Sequence, residues 1–137
     1  QTEFPIFGIE AFCTPQTARL YRHRYGERRV LELPYRQPQT FGVTRLTTLP
    51  AGHVLGSAML LAEVDGQSLL YTGDFKLGPS LTADEAELPH ADVLVMESTY
   101  GDPTYCLPPR QQVIEELVGV VYKAIAQGYT PVVHAYV

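Results

Sequence analysis

Between Phe41 and Tyr71 the chain alternates and clusters its apolar residues in the manner of consecutive strands. Val43-Thr44-Arg45-Leu46-Thr47-Thr48-Leu49 is β-branched and alternating, Ser57 to Val64 is an apolar run, Asp65-Gly66 supplies a two-residue hairpin turn, and Gln67 to Tyr71 returns. Upstream, Ile9 to Cys13 reads as a short strand. Thr14-Pro15 then sets up a helix, with Thr as N-cap and Pro in the first turn, running to Tyr25 and stopped by Gly26. Val30 to Leu33 is a brief strand, and Pro34 and Pro38 keep the following segment out of a central ladder position.

The second half has a different rhythm. Leu77 to His90, rich in Asp, Glu, Pro and Gly, reads as a surface connection. Ala91 to Met96 is almost continuously apolar, which predicts a strand buried on both faces. Pro108-Pro109 opens a long helix with Val113, Leu117, Val121 and Ala124 on one face and Gln112, Glu115, Glu116, Gly119, Lys123 and Gln127 on the other; Gly128 ends it. Pro131 to Val137 follows as a final apolar strand, so strand, helix and strand alternate and the class is α/β.

With 137 residues, 45% of them hydrophobic and 18% charged, the chain holds enough apolar material for one core. No apolar run reaches the roughly 18 to 20 residues of a membrane span, and the N-terminus lacks a signal-peptide layout, so residence in the cytoplasm is the expectation. Cys13 and Cys106 are too far apart for the close pairings of structural zinc sites and are expected to be reduced thiols. A net charge of −5 argues against nucleic-acid binding by the whole surface. Yet Arg19, Arg22, Arg24, Arg28, Arg29 and Arg36 are six of the ten basic residues, interleaved with Tyr21, His23, Tyr25 and Tyr35. Such a stripe can attract phosphates, with Arg22, Arg28 and Arg29 as candidate contacts, and an ordinary solvated helix face explains it equally well.

Three Gly-punctuated strand ends carry the candidate chemistry. His53 lies in Pro50-Ala51-Gly52-His53-Val54-Leu55-Gly56-Ser57, where a neutral imidazole can donate a lone pair to a metal and Gly52 and Gly56 allow tight backbone turns. Asp74 follows 21 residues later in Tyr71-Thr72-Gly73-Asp74-Phe75, an interval that leaves room for a hairpin, and its two oxygens could bridge two metals. Glu97 ends the apolar strand in Glu97-Ser98-Thr99-Tyr100-Gly101. His134 falls mid-strand and reads as a core residue, while His23 and His90 read as surface residues.

Together these three segments resemble the metallo-β-lactamase fold in its nucleic-acid-processing branch, the β-CASP nucleases, which include RNA 3′-end-processing endonucleases, bacterial ribonucleases and DNA exonucleases. The resemblance implies part of an αββα sandwich of mixed sheets with flanking helices. It divides the chain into residues 1–108, a partial metallo-β-lactamase domain, and residues 109–137, a helix and strand leading into a β-CASP-type region. The family's His-x-His-x-Asp-His motif, which supplies most of its zinc ligands, does not occur here. With Gln1 in place of an initiator Met and an end at Val137 inside a predicted strand, an internal segment of a larger enzyme is expected, inactive alone.

The activity implied is hydrolysis of phosphodiester bonds in RNA or DNA with two zinc ions. His53 would bind one, Asp74 would bridge both, and Glu97 would orient a later His that serves as general acid. The partner implied is the nucleic acid, with no membrane; a homodimer is compatible. The scaffold also hosts hydrolysis of small esters or thioesters, and non-catalytic relatives exist; retention of His53 and Asp74 argues against the latter.

Overall fold

The computed structural model describes residues 11–135 of the chain. These divide into two compact units, one ending at Glu97 and one beginning at Ser98. In the first, β1 (Ala11–Cys13) and β2 (Val30–Glu32) pair in parallel through α1 (Pro15–Tyr25). Ile9 and Glu10, expected to belong to the first strand, lie outside the described residues. Helix α1 begins and ends where its capping residues require. Thr14 Oγ1 accepts from the Thr17 N–H at 3.3 Å, and Gly26, at φ +77°, turns the chain out while its N–H donates to the Arg22 carbonyl.

The other strands of this unit are β3 (Gln39–Phe41), β4 (Thr44–Pro50), β5 (Ala58–Val64), β6 (Gln67–Tyr71) and β7 (Val93–Val95). They form one mixed sheet in sequential order, antiparallel through β6 and parallel between β6 and β7. The Asp65-Gly66 turn has φ of +49° and +78°, the paired positive values of a tight hairpin whose twist matches its strands. β3 is absent from the sequence reading; Gly42, at φ +60°, folds Gln39–Phe41 back onto β4. It takes the sheet edge, as Pro38 beside it demands.

The core lies over the middle of this sheet. Leu49, Ala51, Met59 and Leu70 are buried together, with Leu61, Phe75, Ala86 and Ala91 packed against them. Met59 is fully buried, worth about 1.5–3 kcal/mol for the side chain alone.

Two expectations are corrected. The strand expected to be buried on both faces is short and exposed: Val93, Leu94 and Val95 are 51%, 56% and 43% accessible. A continuous apolar run marks a buried ladder position only when neighbours flank it, and among the described residues β7 pairs with β6 alone. Residues 131–135 form no strand and His134 is exposed rather than in the core, because extended backbone needs a partner ladder and none is present among the described residues. Tyr136 and Val137 lie outside them.

In the second unit, α2 (Arg110–Ala126) follows Pro109 and is closed by Gly128 at φ +79°. Gln111 and Gln112 donate to Glu115 and Glu116, one turn on, at 2.9 Å each. Of its expected apolar face, Val121 and Ala124 are half-buried, and Val113 and Leu117 are exposed. Among the described residues, no helix is long and apolar enough to cross a membrane.

Candidate functional site

The sheet register sets the place of each candidate residue. Pro50 pairs with Ala58, Leu60 with Tyr71, and Tyr71 with Val95. The loop after β4, the turn after β6 and the end of β7 therefore lie side by side at one end of the sheet, and they carry His53, Asp74 and Glu97.

Hydrogen bonds tie the three together. Lys76 donates its backbone N–H to the Ala51 carbonyl at 2.9 Å, two residues from Asp74 on one strand end and two from His53 on the other. A Cβ on Gly52 would overlap the Lys76 carbonyl oxygen and stand 3.1 Å from the Ala86 nitrogen, so only glycine lets these segments approach so closely. Glu97 reaches across in the same way: its Oε1 accepts from the Phe75 N–H at 3.0 Å, next to Asp74. Its own N–H donates to Thr72 Oγ1 at 3.4 Å, and the Thr72 N–H donates to the Val95 carbonyl at 3.0 Å. The acid expected to orient a later histidine thus holds the Asp74 turn within this chain.

The His53 loop has its own frame. Ser57 Oγ accepts from the N–H groups of His53 and Val54 at 3.2 and 3.1 Å, while the Ser57 carbonyl accepts from Ala51 N–H and the Tyr35 hydroxyl. The first turn of α1 clamps the far side: Thr14 and Thr17 both donate their hydroxyls to the Gly56 carbonyl, at 2.9 and 3.1 Å. A Cβ on Gly56 would lie 2.6 Å from Thr17 Oγ1. Thr17, Tyr35 and Thr72 escape sequence reasoning, because a polar residue bonded across 22 to 39 positions leaves no periodic or motif signal.

His53 and Asp74 are exposed at this sheet end, and Glu97 is half-buried. An imidazole and a carboxylate are donors that zinc accepts. Two donors make only part of a four-coordinate set, and among the described residues no three His, Cys, Asp or Glu side chains cluster to hold a metal. Both cysteines are free; Cys13, with its thiol pushed up by burial and then by Glu32, is held away from the thiolate form a metal needs.

The stripe of arginines is not uniform. Arg22, Arg28 and Arg29 line one concavity with Glu27, Val30 and Leu31, and Arg22 is ion-paired with Glu32; Arg36 pairs with Glu87 and, outside the stripe, Arg45 pairs with Glu63. A second cavity of about 580 Å³ lies between β1, the start of α1 and β5, with mostly apolar walls.

No protein-family profile matches the chain. It is 39% identical over 130 residues, 93% of its length, to a probable DNA ligase of Opitutus terrae, of which it covers 13%. To an RNase J-like protein of Methanocaldococcus jannaschii it is 41% identical over 80 residues, 57% of the chain and 19% of that protein. To the endoribonuclease YSH1 of Yarrowia lipolytica it is 34% identical over 98 residues, 70% of the chain and 12% of that protein. The chain thus spans less than a fifth of the length of these relatives. Its RNase J-like and endoribonuclease relatives are β-CASP nucleases of the metallo-β-lactamase fold, and the mixed sheets and flanking helices of this chain are consistent with a segment of that fold.

Proposed function

We propose that this protein contributes one wall of a zinc-dependent centre that hydrolyses phosphodiester bonds in single-stranded nucleic acid. The observation that carries the reading is the convergence of three strand ends through the Lys76-to-Ala51 and Phe75-to-Glu97 hydrogen bonds, which gathers His53, Asp74 and Glu97 at one end of one sheet. His53 and Asp74 would hold metal, with further ligands from outside the described residues. Zinc held there would supply hydroxide near neutral pH and would offset charge developing on the phosphate. The chain's own residues set the geometry: Glu97 fixes the Phe75 amide and so the aim of Asp74, while Ser57, Thr14 and Thr17 fix the loop that presents His53.

RNA is the favoured substrate, supported by the names of the RNase J-like and endoribonuclease relatives. DNA is kept as a second reading because the relative matched over most of this chain is a probable DNA ligase. Single-turnover cleavage of labelled RNA and DNA by the full-length enzyme tests both. Asp74→Asn is expected to abolish cleavage, whereas Glu97→Gln, which acts through its neighbour, lowers it by ~10–100-fold. Parental activity in the Asn variant would sink the assignment.

A further inference from the structure

We infer that the concavity walled by Arg22, Arg28 and Arg29 binds a backbone phosphate of the nucleic-acid strand, several nucleotides from the bond that is cut; this rests on the nuclease reading above. Arg22, Arg28 and Arg29 line one hollow of about 630 Å³ in whose lining, among the described residues, Glu27 is the one carboxylate, while Glu32 is ion-paired with Arg22. Two of them are fixed in place: Arg22 Nη1 donates to Glu32 at 2.7 Å, linking α1 to β2, and Arg28 Nε donates to the Tyr25 carbonyl at 3.3 Å. Cations at the end of a helix serve its dipole whatever else they do. That role accounts for Arg22, in the last turn of α1, and it leaves unexplained why Arg28 and Arg29, both beyond Gly26, share the hollow. Planar, weakly hydrated guanidinium groups on residues lining one hollow suit phosphate oxygens.

Position gives the distance. The first turn of α1 is bonded to the loop of His53 through Gly56, and the hollow lies at the other end of the helix. At ~1.5 Å per residue the 11 residues of α1 separate the two by about 12–16 Å. With ~3.4 Å of axis per stacked nucleotide, that is about three to five nucleotides. The hollow therefore acts on strand binding and register, leaving the reacting phosphate to the sheet end.

The test is binding of a labelled single-stranded dodecanucleotide, followed by anisotropy across a salt series. Arg22 is kept, since its ion pair holds α1 to β2. In Arg28→Ala/Arg29→Ala, loss of this one phosphate contact should flatten the slope of log K against log salt by about 0.7, for RNA and DNA oligomers of any sequence. Arg28→Lys/Arg29→Lys should keep most of the slope, and Glu27→Gln should tighten binding at low salt. In the full-length enzyme, KM for the long strand should rise while KM for a trinucleotide, too short to span the interval, stays at the parental value. An unchanged salt slope in the double Ala variant, or no oligonucleotide binding by the parent, overturns the proposal. Binding needs no chemistry, so failure of the nuclease reading shows separately, as full cleavage by Asp74→Asn with the slope effect intact.

Discussion

At Gly52 a single hydrogen atom decides whether two loops can meet. Its φ of +74° is a conformation that side-chain-bearing residues rarely adopt, and the Lys76 carbonyl occupies the space a Cβ needs. Gly52→Ala should therefore destabilise the unit by more than about 2 kcal/mol, combining backbone strain with a displaced β6 turn; the urea midpoint measures it. A second residue carries a pH dependence. The Asp92 carboxylate accepts from Ser68 Oγ and Ser68 N–H at 2.7 Å each, and these bonds, the hydroxyl first, hold its pKa below the ordinary 3.8. A folded-state pKa below the unfolded one means that the tether between β6 and the start of β7 is present above that range and is lost as pH falls through the folded value. Asp92→Asn should flatten the acid limb of a plot of melting temperature against pH, while leaving relative stability among values near neutrality unchanged.

Between elements, the contact that matters most for the candidate site is the one from α1 to the loop after β4. Thr14 both caps its own helix and donates to the Gly56 carbonyl, so helix start and loop geometry are coupled through one buried hydroxyl. Thr17 adds a second donor to the same oxygen. Thr17→Val keeps the shape and removes that donor; the expected loss is about 0.5–1.5 kcal/mol in stability. Hydrogen exchange is the sharper readout. The His53 and Val54 amides, bonded to Ser57, should exchange faster in the Val variant while amides in the middle of β5 stay protected.

For the whole molecule, charge and ligand inventory point in different directions. The net charge of −5 is that of a protein that repels polyanions at long range, yet its arginines concentrate in one early segment, so any nucleic-acid contact must be local and salt-sensitive. The metal inventory is smaller. On the proposal that His53 and Asp74 are the metal donors this chain supplies, zinc affinity should be weak, and dialysis against a mild chelator should strip the purified 137-residue chain to well below stoichiometric metal. Near-stoichiometric zinc after that treatment would show that the chain holds a complete site and would overturn the view of it as one wall of a larger centre.

Local physics made much of this protein legible in the sequence. The limits of α1 follow from Thr14, Pro15 and Gly26, the β5–β6 hairpin from Asp65-Gly66, and the end of α2 from Gly128, because capping and turn chemistry act within a few residues. The order of glycines, His53, Asp74 and Glu97 was equally readable, and with it the family. Tertiary structure decided what depends on neighbours far along the chain. Met96 and the three strand residues before it look like a buried ladder position by composition and are exposed at a sheet edge, because burial belongs to what packs beside a strand rather than to the strand. Residues 131–135 are apolar enough for a strand and lack one for want of a paired backbone among the described residues. The partner of Glu97, the Phe75 amide 22 residues earlier, and the sharing of one hollow by Arg22, Arg28 and Arg29 arise only when the sheet register and the turn after α1 bring them together, since no spacing rule encodes a contact made across a fold.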